Sequence, residues 1–228
     1  MVRRRGKTSL DTRRRPAYRN ERERVLIVTE GSKTEPTYFR SLIRELGITA
    51  NKVIVSGEGG SAPINVVKDA ESHLANDVDF EHVFLVFDRD RHPTYGDAIE
   101  KARKLKPKNA PRNQSIEVIP SIPSFEIWYF CHVSNKRKPY PTGNGFGSPV
   151  QNLIRDLKNS HSCFANYKKG RCVEFYDDLK PMREDACRRA EKFLEEAQKE
   201  GEQEFYENPS TRVHIIVRRL QAISENQS

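Results

Sequence analysis

Apolar residues fall along this chain in short runs and helical stripes that alternate from about residue 24 to 132. The first run, Val25 to Thr29, is continuous and β-branched, the pattern of a strand covered on both faces in a parallel sheet. It ends abruptly at Glu30 and Gly31, and from Thr34 the period turns helical. Pro36 suits a first helical turn, Tyr38, Phe39, Leu42, Ile43 and Leu46 share a face, and Gly47 is a stop signal. The cycle then repeats. A short strand is predicted over 52–56, a glycine-rich connection over 57–63, and a helix with Ile64, Val67 and Leu74 on one face. A third strand covers 82–87 and ends at Asp88. Pro93 opens a third helix through Ala98, Ile99, Ala102 and Leu105, and a fourth strand covers 115–120. Strands alternating with helices predict an α/β layer around a mainly parallel, four-stranded sheet flanked by helices.

Beyond residue 120 the pattern is helical. Phe125, Trp128, Tyr129 and His132 fall at helical spacing within 124–133. Residues 134–148, rich in Lys, Pro and Gly, read as a loop. Val150, Leu153, Ile154 and Leu157 form a helical stripe. A charged helix is predicted over 182–200, and a last one starting at Asn208-Pro209-Ser210, with Asn208 as its N-cap and Val213, Ile216, Val217 and Leu220 buried. The expected organisation is a basic arm (1–23), an α/β core (24–133) and a helical C-terminal extension packed on that core (134–228).

Charge changes the picture at the N-terminus. The 228 residues carry a net +8, with 36% hydrophobic and 32% charged residues. Residues 1–24 hold ten Lys or Arg against three acids, so +7 of the +8 sits there. Such a segment reads as a disordered arm that touches polyanions, with Arg3, Arg4, Arg5, Arg13, Arg14 and Arg15 as nucleic-acid contacts. The alternative is a solvated tail. A second cationic stretch, Tyr167-Lys168-Lys169-Gly170-Arg171, joins an aromatic to cations and also suits nucleic acid, or else solvent. No apolar run approaches the ~20 residues of a membrane span, and the N-terminus lacks the apolar core of a signal peptide. The expectation is a cytoplasmic protein. Its four cysteines, Cys131, Cys163, Cys172 and Cys187, form no C-x-x-C pair and read as reduced thiols rather than zinc ligands.

The chemistry-bearing feature is the repeated delivery of acids at strand ends. In open parallel sheets ligands gather outside the carboxyl ends of the strands. Glu30, Asp88 and Asp90 all stand at such ends, and they converge if the first and third strands are neighbours. Clustered carboxylates need cations, and oxygen donors without thiols favour Mg²⁺ or Mn²⁺. Gly31 leaves room for a close approach by metal or substrate. Each residue also has a plainer reading. Asp88-Arg89-Asp90 serves equally as a loop start with Arg89 an ion-pair partner, Gly57 to Gly60 as a hinge, and Trp128, Phe125, His132 and His214 as packed core.

A hydrophobic strand ending in Glu30-Gly31, then a second ending in Asp88-x-Asp90, resembles a Toprim domain. More closely, Glu30-Gly-Ser-Lys33-Thr-Glu35-Pro-Thr-Tyr-Phe39, Phe87-Asp-Arg-Asp90, Pro123-Ser-Phe-Glu126-Ile-Trp128 and Asn208-Pro-Ser-Thr-x-Val213-His214 resemble the RloB family, in order, from about 24 to 220. Ile122-Pro123-Ser124 departs slightly from that family's usual lead-in to the glutamate. The resemblance implies a Toprim-like nuclease of prokaryotic restriction and antiphage loci that partners an AAA- or ABC-type ATPase. It implies that Glu30, Asp88, Asp90 and Glu126 form a metal-binding catalytic rim. Lys33 would steady the phosphate, and Glu35 is either an outer support or merely an acid favoured by the helix dipole. The competing expectations are a non-catalytic nucleic-acid-binding subunit of an ATPase complex and a primase- or topoisomerase-like transferase. The target, DNA or RNA, is left open.

Overall fold

The computed structural model describes residues 23–227 except 58, 59, 61, 77, 78, 90, 91, 108, 109, 144 and 146. The arm arginines Arg3 to Arg15 and the acid Asp90 therefore lie outside the described residues.

The β/α alternation forms as expected. Strand β1 (Val25–Thr29) leads to helix α1 (Thr34–Glu45), β2 (Val53–Ser56) to α2 (Pro63–Asn76), and β3 (His82–Asp88) to α3 (Tyr95–Lys104) before β4 (Ser115–Ile122). Helices α4 (Glu126–Val133) and α5 (Pro149–Ser160) follow, then the short α6 (Tyr176–Leu179), the long α7 (Arg183–Lys199), strand β5 (Ser210–Thr211) and α8 (Val213–Glu225).

The sheet has five strands in the order β2-β1-β3-β4-β5, one more than the sequence pattern predicts. The first four are parallel. In register Val25 faces both Val53 and His82, and His82 faces Ser115. The fifth is antiparallel and two residues long, with Ser121 facing Thr211 and Ile122 facing Ser210. So Asn208-Pro209-Ser210 does not open the last helix, and Asn208 does not cap it. The helix begins at Val213. Asn208 instead clasps the backbone of Tyr140, accepting from its N–H at 3.2 Å and donating to its carbonyl at 2.8 Å. Two polar residues offer no strand signal of their own. They pair because β4 runs two residues past its predicted end and presents an open edge.

Strand alternation builds two cores. Val25 and Ile27 of β1, with Phe84 and Val86 of β3, face α1, α4, α5, α7 and α8. Leu26 and Val28, with Val83, Leu85 and Phe87, face α2 and α3. This division follows from strand order. Right-handed crossovers put α1, which leads outward to β2, on one face, and α2 and α3, which lead the other way, on the opposite face. Trp128 and Phe125 are 0% and 1% exposed, as a core role requires. No helix among the described residues is long and apolar enough to cross a membrane.

Candidate functional site

The chain reverses its direction of travel across the sheet between β1 and β3, so their carboxyl ends flank the topological switch point. Glu30 follows one and Asp88 closes the other. The Glu30 N–H donates to the Val86 carbonyl at 3.0 Å, carrying the ladder one residue beyond β1. The Asp88 N–H in turn donates to Glu30 Oε2 at 3.0 Å. These two acids are therefore fixed to each other through backbone, the neighbourhood that the sequence alone leaves conditional.

Glu126 reaches the same edge from β4. It opens α4 and is 1% exposed. Three groups hold it: the Ser124 hydroxyl donates to Oε2 at 2.6 Å, the Tyr167 hydroxyl donates to Oε1 at 2.8 Å, and the Lys169 ammonium lies 3.5 Å from Oε1.

Glu35 is the acid that sequence reasoning undervalued. It is 7% exposed and does more than answer a helix dipole, because its carboxylate folds back over Gly31. A Cβ at Gly31 would stand 2.7 Å from Glu35 Oε2. The space that glycine leaves thus holds a carboxylate of the chain itself. Gly57 closes the layer beneath, where a Cβ would meet the Gly31 carbonyl at 2.7 Å and Pro36 and Thr29 at 2.9 Å.

The electrostatics follow from this crowding. Burial first, then the charges of Glu35, Glu126 and Glu30, push the Asp88 carboxyl well above the usual carboxylate range, with Lys169 acting against them. Burial, and after it Glu126, also raises Glu35. Burial opposes the Lys169 ammonium, but Glu126, Asp88 and Glu35 outweigh it and hold its pKa above the ordinary lysine value. Lys169 is thus the cation that faces three of the acids.

The cation expected to steady the phosphate was Lys33. Lys33 is exposed at the start of α1, and its side chain runs along Gly170. The loop bearing Lys169 is anchored there, since the Gly170 N–H donates to the Thr34 hydroxyl at 3.1 Å. Of the other cations in that loop, Lys168 is exposed and Arg171 pairs with Glu174 at 3.2 Å. Arg89, one of whose readings was a solvated ion-pair partner, pairs with no carboxylate among the described residues. It donates to the Tyr206 carbonyl at 3.1 Å and lies over that ring at 4.3 Å.

The donors present are oxygens. Among the described residues Asp88 Oδ1 is buried with no hydrogen-bond partner, the condition of a carboxylate oxygen that awaits a cation. Glu30, Glu35, Asp88 and Glu126 fit a hard divalent ion in chemical type. Among the described residues, no three His, Cys, Asp or Glu side chains yet close into a ligand set. The thiols contribute nothing to such a site. Burial raises the pKa of all four, Cys163 and Cys172 to about 11 and Cys187 to about 12. His132 is a packed residue whose Nδ1–H donates to the Trp128 carbonyl at 2.9 Å.

The fold and the site together define an α/β protein with a cluster of carboxylates at the switch point of a mostly parallel sheet. This chain belongs to the RloB family: the model of that family, described as RloB-like protein, matches residues 25–220. No curated protein and no solved structure matches the chain.

Proposed function

We propose that the chain is a Mg²⁺- or Mn²⁺-dependent nuclease of Toprim type that hydrolyses phosphodiester bonds of DNA or RNA. We place it in the cytoplasm, in prokaryotic antiphage or restriction-linked defence, beside an AAA- or ABC-type ATPase. The observation that carries this reading is the unpartnered, buried Asp88 oxygen amid Glu30, Glu35 and Glu126 at the switch point. Asp88 and Glu30 would hold the ion, with Glu126 and Glu35 beside them, and Asp90 following Asp88 in sequence. When bound, such an ion polarises a phosphoryl oxygen and lowers the pKa of water.

The chain's own residues do the rest. Glu126, held by Ser124 and Tyr167, is fixed in place and oriented toward the acids. Lys169 balances the carboxylates and offers its ammonium protons to a phosphate oxygen at the same edge. Glu35, whose raised pKa favours its protonated form, can hold or release a proton at Oε2 above Gly31.

The test is to incubate the purified chain, with and without its ATPase, with plasmid, single-stranded DNA, RNA and tRNA in Mg²⁺ or Mn²⁺. Asp88→Ala and Glu30→Ala should each reduce cleavage by at least about 10²-fold, in line with loss of a principal electrostatic contributor. Cleavage that survives both substitutions sinks the assignment.

A second reading, a non-catalytic nucleic-acid-binding subunit, has one observation in its favour: Lys169 already supplies an internal cation to Glu126. Intact binding with no cleavage under any condition would select it.

A further inference from the structure

Beside the acid cluster lies a cavity of about 290 Å³ that the proposed catalysis does not use. Its position is set by the sheet register. Asp88 faces Ser121, and the residues that follow them, Arg89 just past the end of β3 and Ile122 on β4, both line the cavity. The Arg89 N–H donates to the Ser121 carbonyl at 3.0 Å, so this wall is tied to the same rung that carries Asp88. Pro123 forms part of the lining, and the fully buried ring of Tyr140 another part. The start of α5, Pro149 and Val150, closes it.

The polar groups around this space divide into two kinds. Asn208 is committed at both ends of its amide to Tyr140 backbone, and the Tyr140 hydroxyl donates to Asp156 at 3.1 Å. These shape the wall. Arg89, Thr142 and Ser148 retain capacity. Arg89 has no carboxylate partner among the described residues and spends one N–H on Tyr206. Thr142 makes no hydrogen bond among the described residues and is exposed. Ser148 accepts from the Gln151 N–H at 3.4 Å, leaving its hydroxyl proton free.

Apolar surface from Ile122, Pro123, Tyr140 and Val150, a few free donors and acceptors, and a volume just under the roughly 300–1,000 Å³ of small-molecule sites describe a space for one planar heterocycle. It is too small for a duplex. A guanidinium and two hydroxyls match the carbonyl and ring-nitrogen acceptors of a base edge.

Resting on the nuclease reading, we propose that this cavity takes the unstacked base of a nucleotide that flanks the scissile phosphate. The substrate class is thereby a single-stranded, looped or flipped nucleotide rather than continuous duplex. Apolar walls receive the ring, Arg89 reads an acceptor on its edge, and the phosphate next to it falls toward Asp88.

The experiment measures binding of the four ribonucleoside 5′-monophosphates to the full chain by titration calorimetry in EDTA, where no cleavage occurs. Free nucleosides and inorganic phosphate serve as competitors. The wild type should bind at least one monophosphate with Kd below about 1 mM, with nucleoside competing and phosphate not. Val150→Trp, which fills the cavity, and Arg89→Leu should each weaken binding at least tenfold. Thr142→Trp, at an exposed position, blocks the mouth should Val150→Trp misfold. Saturable binding undiminished by Arg89→Leu and Thr142→Trp overturns the pocket. So does competition by inorganic phosphate equal to that by nucleoside, or no binding up to 10 times that concentration. Because these readings need no cleavage, they separate from the nuclease test. A pocket without cleavage leaves a base-binding site and overturns its place beside a scissile phosphate, and Asp88-dependent cleavage without base binding leaves only the nuclease.

Discussion

Glu35 and Gly31 show how much a single side chain depends on its neighbour here. A methyl group at residue 31 would stand 2.7 Å from Glu35 Oε2, inside any allowed contact. The carboxylate is the far end of a flexible side chain, so it can move, but only by leaving the acids it now faces. Gly31→Ala is therefore expected to reduce cleavage strongly while lowering stability by only about 1 kcal/mol, as for a modest local overpacking. Paired with Glu35→Ala, which removes the obstructing atoms, Gly31→Ala should cost nothing further in stability. A double-mutant cycle of urea melts checks this, and additive losses would show that the two residues do not press on each other. Glu35 was legible in the sequence as an outer support of the site or as an acid in the first turn of a helix. That position has a sufficient local explanation, and burial against Gly31 is invisible until the turn is folded.

At the scale of the element, the stretch from Tyr167 to Arg171 changes meaning most. By sequence it is an aromatic and three cations on a surface loop. In the fold its members part company: Tyr167 and Lys169 turn to Glu126, Gly170 docks on Thr34, and Arg171 turns to Glu174. The loop thus supplies a counter-ion to the carboxylates. Lys169→Met is expected to lower the melting temperature in EDTA, because Glu126, Asp88 and Glu35 lose that cation. Added Mg²⁺ should then raise the melting temperature of the variant by more than it raises that of the wild type, by mass action on a site with one fewer competing charge. Thermal melts with and without 10-fold excess ion over Kd read this directly, and equal shifts in both proteins would remove Lys169 from the site. The strands were readable one by one, since continuous apolar runs ending in acid are strong local signals. β5 was not. Its two residues, Ser210 and Thr211, become a strand only because β4 offers them an edge.

For the whole molecule, two histidines tie the packing of the larger core to pH. His132 and His214 are buried, and burial lowers their pKa values from 6.5 to about 3 and about 4. Arg183 and Arg189 near the first, and Arg212 and Arg218 near the second, act in the same direction. Both rings are thus neutral in the fold but take up protons near pH 6.5 once the chain unfolds. Their contribution to stability is complete above about pH 6.5. It declines as pH falls from there toward 4 and then 3, with a limiting slope of about 1.4 kcal/mol per pH unit for each ring. Replacing His132 with Leu should flatten the fall in urea-derived stability between pH 6.5 and 4, whatever it does to stability at pH 7. An unchanged slope would mean that His132 is already protonated or exposed in the native protein.

What the sequence determined by itself is local. Periodicity set the strands β1 to β4 and the helices between them, and the acids stand where those runs break, because an apolar strand must end where its next residue meets solvent or ion. Glu30, Asp88 and Asp90 were named on that basis and Glu126 through the family resemblance; Glu30, Asp88 and Glu126 meet at one edge, and Asp90 lies outside the described residues. The tertiary structure decided everything that depends on which strand lies beside which. The order β2-β1-β3-β4-β5 made β1 and β3 neighbours and placed the switch point between Glu30 and Asp88. It also brought Lys169 rather than Lys33 to the acids, and put Arg89 at the wall of a cavity instead of in solvent. The physical reason is separation along the chain. Lys169 lies 43 residues from Glu126, and Thr211 pairs with Ser121 across 90. No short-range propensity encodes such contacts, because they form only when two cores close on the two faces of one sheet.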